Sequence, residues 1–394
     1  MTTTSLLLDA ERARAAHLDE EISALEQILS ELRSERAAIQ DRLDAYKFPV
    51  LTLPNEIVVE IFVRTLPPYP RAAPLGSTQK LLAICSQWRA IALATPELWR
   101  SIRFQKQQAS FGASLKNALR KWLGRASSLP LAFAWDFDPS IIDTRDLISA
   151  ISSYRSRWDI LNITILKRYL QLLSGPAPAL RELYLCASDG DVAPALSGPS
   201  AHLLRLHDAP LLRSVVLSQV PIDPETMPWQ HLADLTISGL RMVNCAVALR
   251  AATRLLHCRL EIVSGLPRDY NQTIESPSLQ TLVLTHASRK VENSSGMRCL
   301  SFPALRRFQC SLDIFTGIDA LSENHLAGFL DRSGCHLEVL LLSGVAPWIV
   351  PIYRQTLSTQ RVGTIARREV PPRKMACFLW SKDEWWEVNV EGDE

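Results

Sequence analysis

From Ala15 to Tyr46 apolar residues recur at alternating steps of three and four, with no Gly or Pro among them, as an amphipathic helix requires. The stripe is Leu18, Ile22, Leu25, Leu29, Leu32, Ile39, Leu43 and Tyr46. Ile22, Leu29 and Leu43 take the a positions of a heptad and Leu18, Leu25, Leu32 and Ile39 the d positions, about four heptads interrupted only by Arg36. A parallel homodimer in this register sets Glu21 against Glu26 and Arg42 against Lys47, which is repulsive at both ends. The pattern leaves open a single helix on the next module, an antiparallel hairpin partner, and a parallel dimer.

Pro49 ends this helix, and Leu51-Thr-Leu53-Pro54-Asn55-Glu56 then supplies a start signal, with Glu56 favourable to the helix dipole. The next helix turns Ile57, Ile61, Phe62 and Leu66 to one side and closes at Pro67-Pro68, ahead of a Pro-, Ala- and Gly-rich loop reaching Ser77. A second helix is expected from Gln79 to Leu93, burying Leu81, Leu82, Cys85, Trp88, Ile91 and Ala92. Thr95 and Pro96 start a third, short helix with Leu98, Trp99 and Ile102 inward. A three-helix cluster of about fifty residues buries little surface, so it is expected to lean on a partner or on the domain after it.

A helix from Ser114 to Leu123 and an edge strand over Leu129–Trp135 come next. Then one spacing of three apolar residues repeats: Trp158-Leu161-Ile163, Leu180-Leu183-Leu185, Leu212-Val215-Leu217, Leu232-Leu235-Ile237, Leu255-Cys258-Leu260, Leu279-Leu282-Leu284, Leu305-Phe308-Cys310 and Leu337-Leu340-Leu342. The copies are 22, 32, 20, 23, 24, 26 and 32 residues apart, mostly within or near the range of leucine-rich repeats. Pro178, Pro210, Pro277 and Pro303 introduce four of them as Pro-x-Leu, a turn leading into a strand. The expected fold is an α+β or α/β repeat chain: an amphipathic helix (1–48), a three-helix module (49–104), a linker helix and first strand (105–145), an irregular leucine-rich-repeat-like solenoid (146–350), and a C-terminal cap with an acidic tail (351–394). A concave repeat surface would bind a ligand, though a single sequence does not say which variable positions form it.

The middle segment carries a resemblance. Leu53-Pro54-Asn55-Glu56-Ile57 with Ile61-Phe62, then Leu82-Ala-Ile-Cys85-Ser-Gln-Trp88-Arg89-Ala-Ile91-Ala92, then Thr95-Pro96-Glu97-Leu98-Trp99, resembles an F-box of the kind abundant in mushroom-forming basidiomycete fungi. The resemblance covers Leu51 to Phe104. It implies docking onto the Skp-type adaptor of a cullin ubiquitin ligase through Leu53, Pro54, Ile57, Ile61, Leu82, Cys85 and Trp88. Phe62, Ile91, Leu98 and Trp99 would form the core of the module. The function so implied is a substrate-recognition adaptor of an SCF-type ligase, with the repeats holding an unknown protein substrate; the alternative is an interaction scaffold that promotes no ubiquitination.

Composition narrows the partners. With 43 Lys and Arg against 41 Asp and Glu, the formal charge of +2 sets up no field that favours nucleic acid. The eight cysteines include no Cys-x-x-Cys pair and read as reduced thiols, and the eight histidines show no metal-ligand spacing. With no phosphate loop and no nucleophile elbow either, neither enzyme activity nor a cofactor is expected. The Leu6-Leu7-Leu8 run is too short for a signal peptide, and Gly344, Pro347 and Pro351 break the longest apolar stretch, so no membrane segment is expected and the location reads as cytoplasmic, nuclear or both. Arg367, Arg368, Arg373 and Lys374 read as a solvated basic cluster, and Trp380, Trp385 and Trp386 as a cap.

Overall fold

A computed structural model of the chain describes residues 2–45, 52–67, 69, 75–104, 112–135, 145–188, 203–206, 208–225, 227–267, 269–286, 299–311, 322–343, 351, 353, 357 and 362–368. Tyr46, Pro49, Leu51, Cys377, Arg373, Lys374, the three C-terminal tryptophans and most of the loop from Pro67 to Ser77 lie outside the described residues. Contacts divide the chain into two compact units, Met1–Glu60 and Ile61–Glu394.

The first unit is dominated by α1 (Thr2–Ala45), one unbroken helix of 44 residues. From Ala10 to Ala45 every residue of it is exposed, the apolar stripe included. The helix α2 (Asn55–Thr65), whose residues from Ile61 onward belong to the second unit, starts on the Pro54 carbonyl, which accepts the N–H groups of Ile57 at 3.1 Å and Val58 at 3.2 Å. A residue without an N–H of its own can still supply this first acceptor, which is why proline suits a helix start.

In the second unit the chain continues as α3 (Leu75–Leu82), α4 (Ser86–Ala94) and a single 3-10 turn over Pro96–Trp99. Then come β1 (Ser101–Phe104), α5 (Gly112–Arg125), β2 (Leu131–Trp135), α6 (Arg145–Ser152), β3 (Trp158–Leu166), β4 (Glu182–Ser188), β5 (Ser214–Ser218) and β6 (Asp234–Arg241). The chain goes on through α7 (Met242–Ala251), β7 (His257–Ser264), β8 (Ile274–Glu275), β9 (Thr281–His286), β10 (Leu300–Ser301), β11 (Arg307–Ser311), α8 (Ser322–Ser333), β12 (Leu337–Ser343) and β13 (Val362–Arg368). Among the described residues eleven strands form one sheet in the order β1-β2-β3-β4-β5-β6-β7-β9-β11-β12-β13, every pairing parallel, while β8 and β10 pair with each other.

This architecture corrects the expected fold class. The long region is a large parallel sheet with helices, an α/β arrangement, and not a solenoid of leucine-rich repeats behind a separate helical module. The three-apolar spacing encodes one buried turn residue and two buried strand positions, which any parallel strand covered on one face also produces. A repeat architecture further needs a recurring unit between strands, and here the connections differ: a 3-10 segment (Lys167–Leu173) after β3, α7 after β6, the short β8 and β10, then α8 before β12. The three-helix cluster is corrected too. Its expected second helix breaks at Cys85, whose extended backbone restarts the chain as α4 while its Sγ accepts the Trp88 N–H at 3.4 Å. Its third helix is only the 3-10 turn, which runs into β1, and β1 rather than β2 is the sheet edge.

The Pro-x-Leu segments show how sequence sets these strands. Leu180, Leu212, Leu279 and Leu305 each donate an N–H to the residue three before, Ala177, Ala209, Ser276 and Phe302, with a proline at the second turn position where its fixed φ belongs. Each of these leucines is buried. From there the strands pair in register, so that Leu161, Leu183, Val215, Leu235, Cys258, Leu282, Phe308 and Leu340 form one row across the sheet. All eight are at most 1% exposed, which makes this row the spine of the core. Leu235→Ala is expected to cost about 2–5 kcal/mol as transfer and cavity terms add, whereas Thr236→Ala on the opposite face costs under about 1 kcal/mol. Urea denaturation reads the difference as a lower midpoint at unchanged slope for the first variant only.

Candidate docking surfaces

On α2 the burial pattern has two sides. Val58 and Phe62, four residues apart, are 2% and 0% exposed, and Ile57 and Ile61, also four apart, are 50% and 38% exposed. Residues at that spacing lie one above the other on a helix, so the second pair is an apolar face turned to solvent. Of the other residues expected to dock, Leu53 is half-buried beside exposed Pro54.

Leu82, Cys85 and Trp88 are half-buried in the second unit, with Ile84 exposed beside them. The Trp88 ring meets Phe62 edge to face at 4.9 Å, and the Cys85 cap brings Cys85 and Trp88 together. Arg89 Nε donates to the Leu82 carbonyl at 2.8 Å, holding the end of α3 against α4. The Trp88 indole N–H is buried and finds no acceptor among the described residues, so shape rather than hydrogen bonding fixes the ring. Trp99 differs: its Nε1 donates to the Ala92 carbonyl at 2.8 Å, Trp122 packs edge to face at 4.7 Å, and the Arg125 guanidinium lies 4.5 Å from the ring centroid. Phe62, Ile91, Leu98 and Trp99, read from sequence as module core, are all buried.

A buried carboxylate ties the loop after α2 to the sheet. Asp159, 1% exposed, accepts hydrogen bonds from Arg181 Nη2 at 2.7 Å, from Arg181 Nε, and from the Tyr69 hydroxyl. The Arg100 guanidinium lies over the Tyr69 ring at 3.2 Å. Burial alone would raise the Asp159 carboxyl, but the hydrogen bonds from Arg181 and Tyr69 outweigh it and hold the group below the ordinary aspartate range. Burial, then the bond to Asp159, pushes the Tyr69 hydroxyl up to about 12.

A second surface lies on the sheet face opposite the apolar row. In β4, β5 and β7 buried and half-buried residues alternate, so one face belongs to the core and the other meets solvent. Tyr184, Val216, Thr236 and Arg259 lie side by side there, followed one step along by Cys186, Ser218, Ser238 and Glu261. The Tyr184 hydroxyl donates to Glu182 Oε2 at 3.0 Å, and burial followed by the Glu182 charge raises its pKa. Parallel sheets are usually apolar on both faces, so this four-strand band of mixed donors and acceptors, about 14 Å across, departs from the rule. Sequence reasoning missed these residues, although each occupies a fixed slot of the spacing: between its second and third apolar positions, or just after the third. At β9, β11 and β12 the same slots hold buried Val283, Gln309 and Leu341, and the band ends.

Chemistry of other kinds has little to stand on among the described residues. No group of three or more His, Cys, Asp or Glu is placed to hold a metal ion, and no helix is long and apolar enough to cross a membrane. Burial pushes the Cys245 thiol up to about 12 and raises Cys258 and Cys310 as well, which makes these thiols poor nucleophiles. No model of a known protein family matches the chain, and no curated protein matches it either.

Because Asp159 is held below its unfolded value of about 3.9, it contributes stability above that pH, and the contribution is lost as pH falls through the folded value. Asp159→Asn is therefore expected to cost roughly 1–3 kcal/mol at pH 7, at the lower end of buried-pair losses because Arg181 is more than half exposed. Thermal melts from pH 7 to pH 3 should show the gap between variant and wild type closing below about pH 4.

Proposed function

We propose that this protein is a substrate-recognition adaptor of an SCF-type ubiquitin ligase, in which the segment resembling an F-box docks a Skp-type adaptor and the sheet domain holds a protein to be presented. The observation that carries the reading is the pair Ile57 and Ile61. Two β-branched apolar side chains on one helical face stay in water while the other face of the same helix is buried, an arrangement that a partner surface would relieve. Both lie in the stretch on which the resemblance rests. The polar band over β4 to β7 supports the second half of the reading, since interfaces between separately folded proteins are mixed in polarity and hydrogen-bonded. The chain supplies proximity, and the chemistry belongs to the ligase machinery.

The test is a pull-down with purified Skp-type adaptor. Wild type is expected to bind, and Ile57→Glu/Ile61→Glu is expected to lose binding at least a hundredfold while keeping the wild-type melting temperature, because neither side chain is in the core. A folded wild-type chain that fails to bind would remove the ligase reading. Binding without any partner ubiquitinated in a reconstituted ligase would leave an interaction scaffold.

A further inference from the structure

The helix α1 exposes its whole apolar stripe, with Leu25 and Leu43 at 65% and 63% and Leu18, Ile22, Leu29, Leu32 and Ile39 each above 40%. The helix is continuous from Thr2 to Ala45, so it does not fold back to cover that stripe itself. Four heptads at 1.5 Å per residue make a seam of about 42 Å, enough for a two-stranded coiled coil.

We infer that α1 pairs with α1 of a second copy of this chain, antiparallel, centred between Leu29 and Leu32. In that register Leu18 meets Leu43 of the second copy, Ile22 meets Ile39, Leu29 meets Leu32, and Leu25 meets Arg36, each layer occurring twice. Charge selects this orientation. A parallel pair stacks Arg36 on Arg36 inside the seam and sets Glu21 against Glu26. Reversing one helix takes Arg36 level with Leu25 of the second copy, between Glu21 and Glu26, where its long side chain reaches a carboxylate while its stem stays on the apolar seam. Arg42 then faces Glu21 across the edge. The acidic stretch Asp19, Glu20, Glu21 and Glu26 thus lies along the basic residues Arg33, Arg36 and Arg42. Glu21 lies 3.8 Å from exposed His17 in its own chain, a surface contact too weak to compete.

Sedimentation equilibrium of the full chain tests this. The expected mass is about twice 44.1 kDa. Glu21→Arg would face Arg42 of the second copy and is expected to weaken the dimer about tenfold, and Glu21→Arg/Arg42→Glu to restore it, the effect shrinking at high salt. Leu29→Asp/Leu32→Asp should give a monomer with the sheet domain's melting transition intact. A wild-type monomer at tens of micromolar would overturn the inference. So would tightening by Glu21→Arg, because in a parallel dimer that change meets Glu26 and becomes attractive, and so would a dimer that survives the double aspartate.

Discussion

Burial of a single row of side chains is the constraint on which the rest of the second unit depends. Leu161, Leu183, Val215, Leu235, Cys258, Leu282, Phe308 and Leu340 meet across eight neighbouring strands, and no strand among them has an apolar face wide enough to be stable alone. The leucines that close the turns add a second buried row one step below. Because side chains alternate along a strand, fixing these rows fixes which residues face the other way. The polar band is in that sense a consequence of the core: Tyr184, Thr236 and Arg259 are displayed because Leu183, Leu235 and Cys258 are hidden.

The Asp159 network serves a related purpose at the start of the sheet. It takes one residue from β3, one from the turn before β4 and one from the loop after α2, and joins them by hydrogen bonds to one carboxylate. A buried carboxylate with three donors is satisfied only in one arrangement, so it positions Tyr69 and Arg181 more sharply than hydrophobic packing would, at the cost of sensitivity to acid.

Much of this was readable from residues. The period of α1, the start of α2 at Pro54, the buried residues Phe62, Ile91, Leu98 and Trp99, and the Pro-x-Leu turns all follow from local rules, because each depends on neighbours within a few positions. The architecture did not follow. Leu-x-x-Leu-x-Leu describes how a strand is buried and says nothing of what joins one strand to the next, so the spacing suits a solenoid as well as the α/β sheet that the chain builds. Cys85 escaped notice as a helix breaker because cysteine is a rare cap, and Asp159 gave no signal because Tyr69 and Arg181 lie 90 and 22 residues away from it. The polar band was hidden for a different reason: its residues are defined by register, which needs the pairing of every strand.

Hydrogen exchange followed strand by strand tests the central claim most directly, that one shared apolar row makes the sheet a single cooperative body. The account predicts that the amides of β3 to β7, β9, β11 and β12 exchange last, with one common opening free energy that Leu235→Ala lowers in all of them together. Exchange of β9, β11 and β12 with an opening energy of their own, untouched by Leu235→Ala, would contradict it.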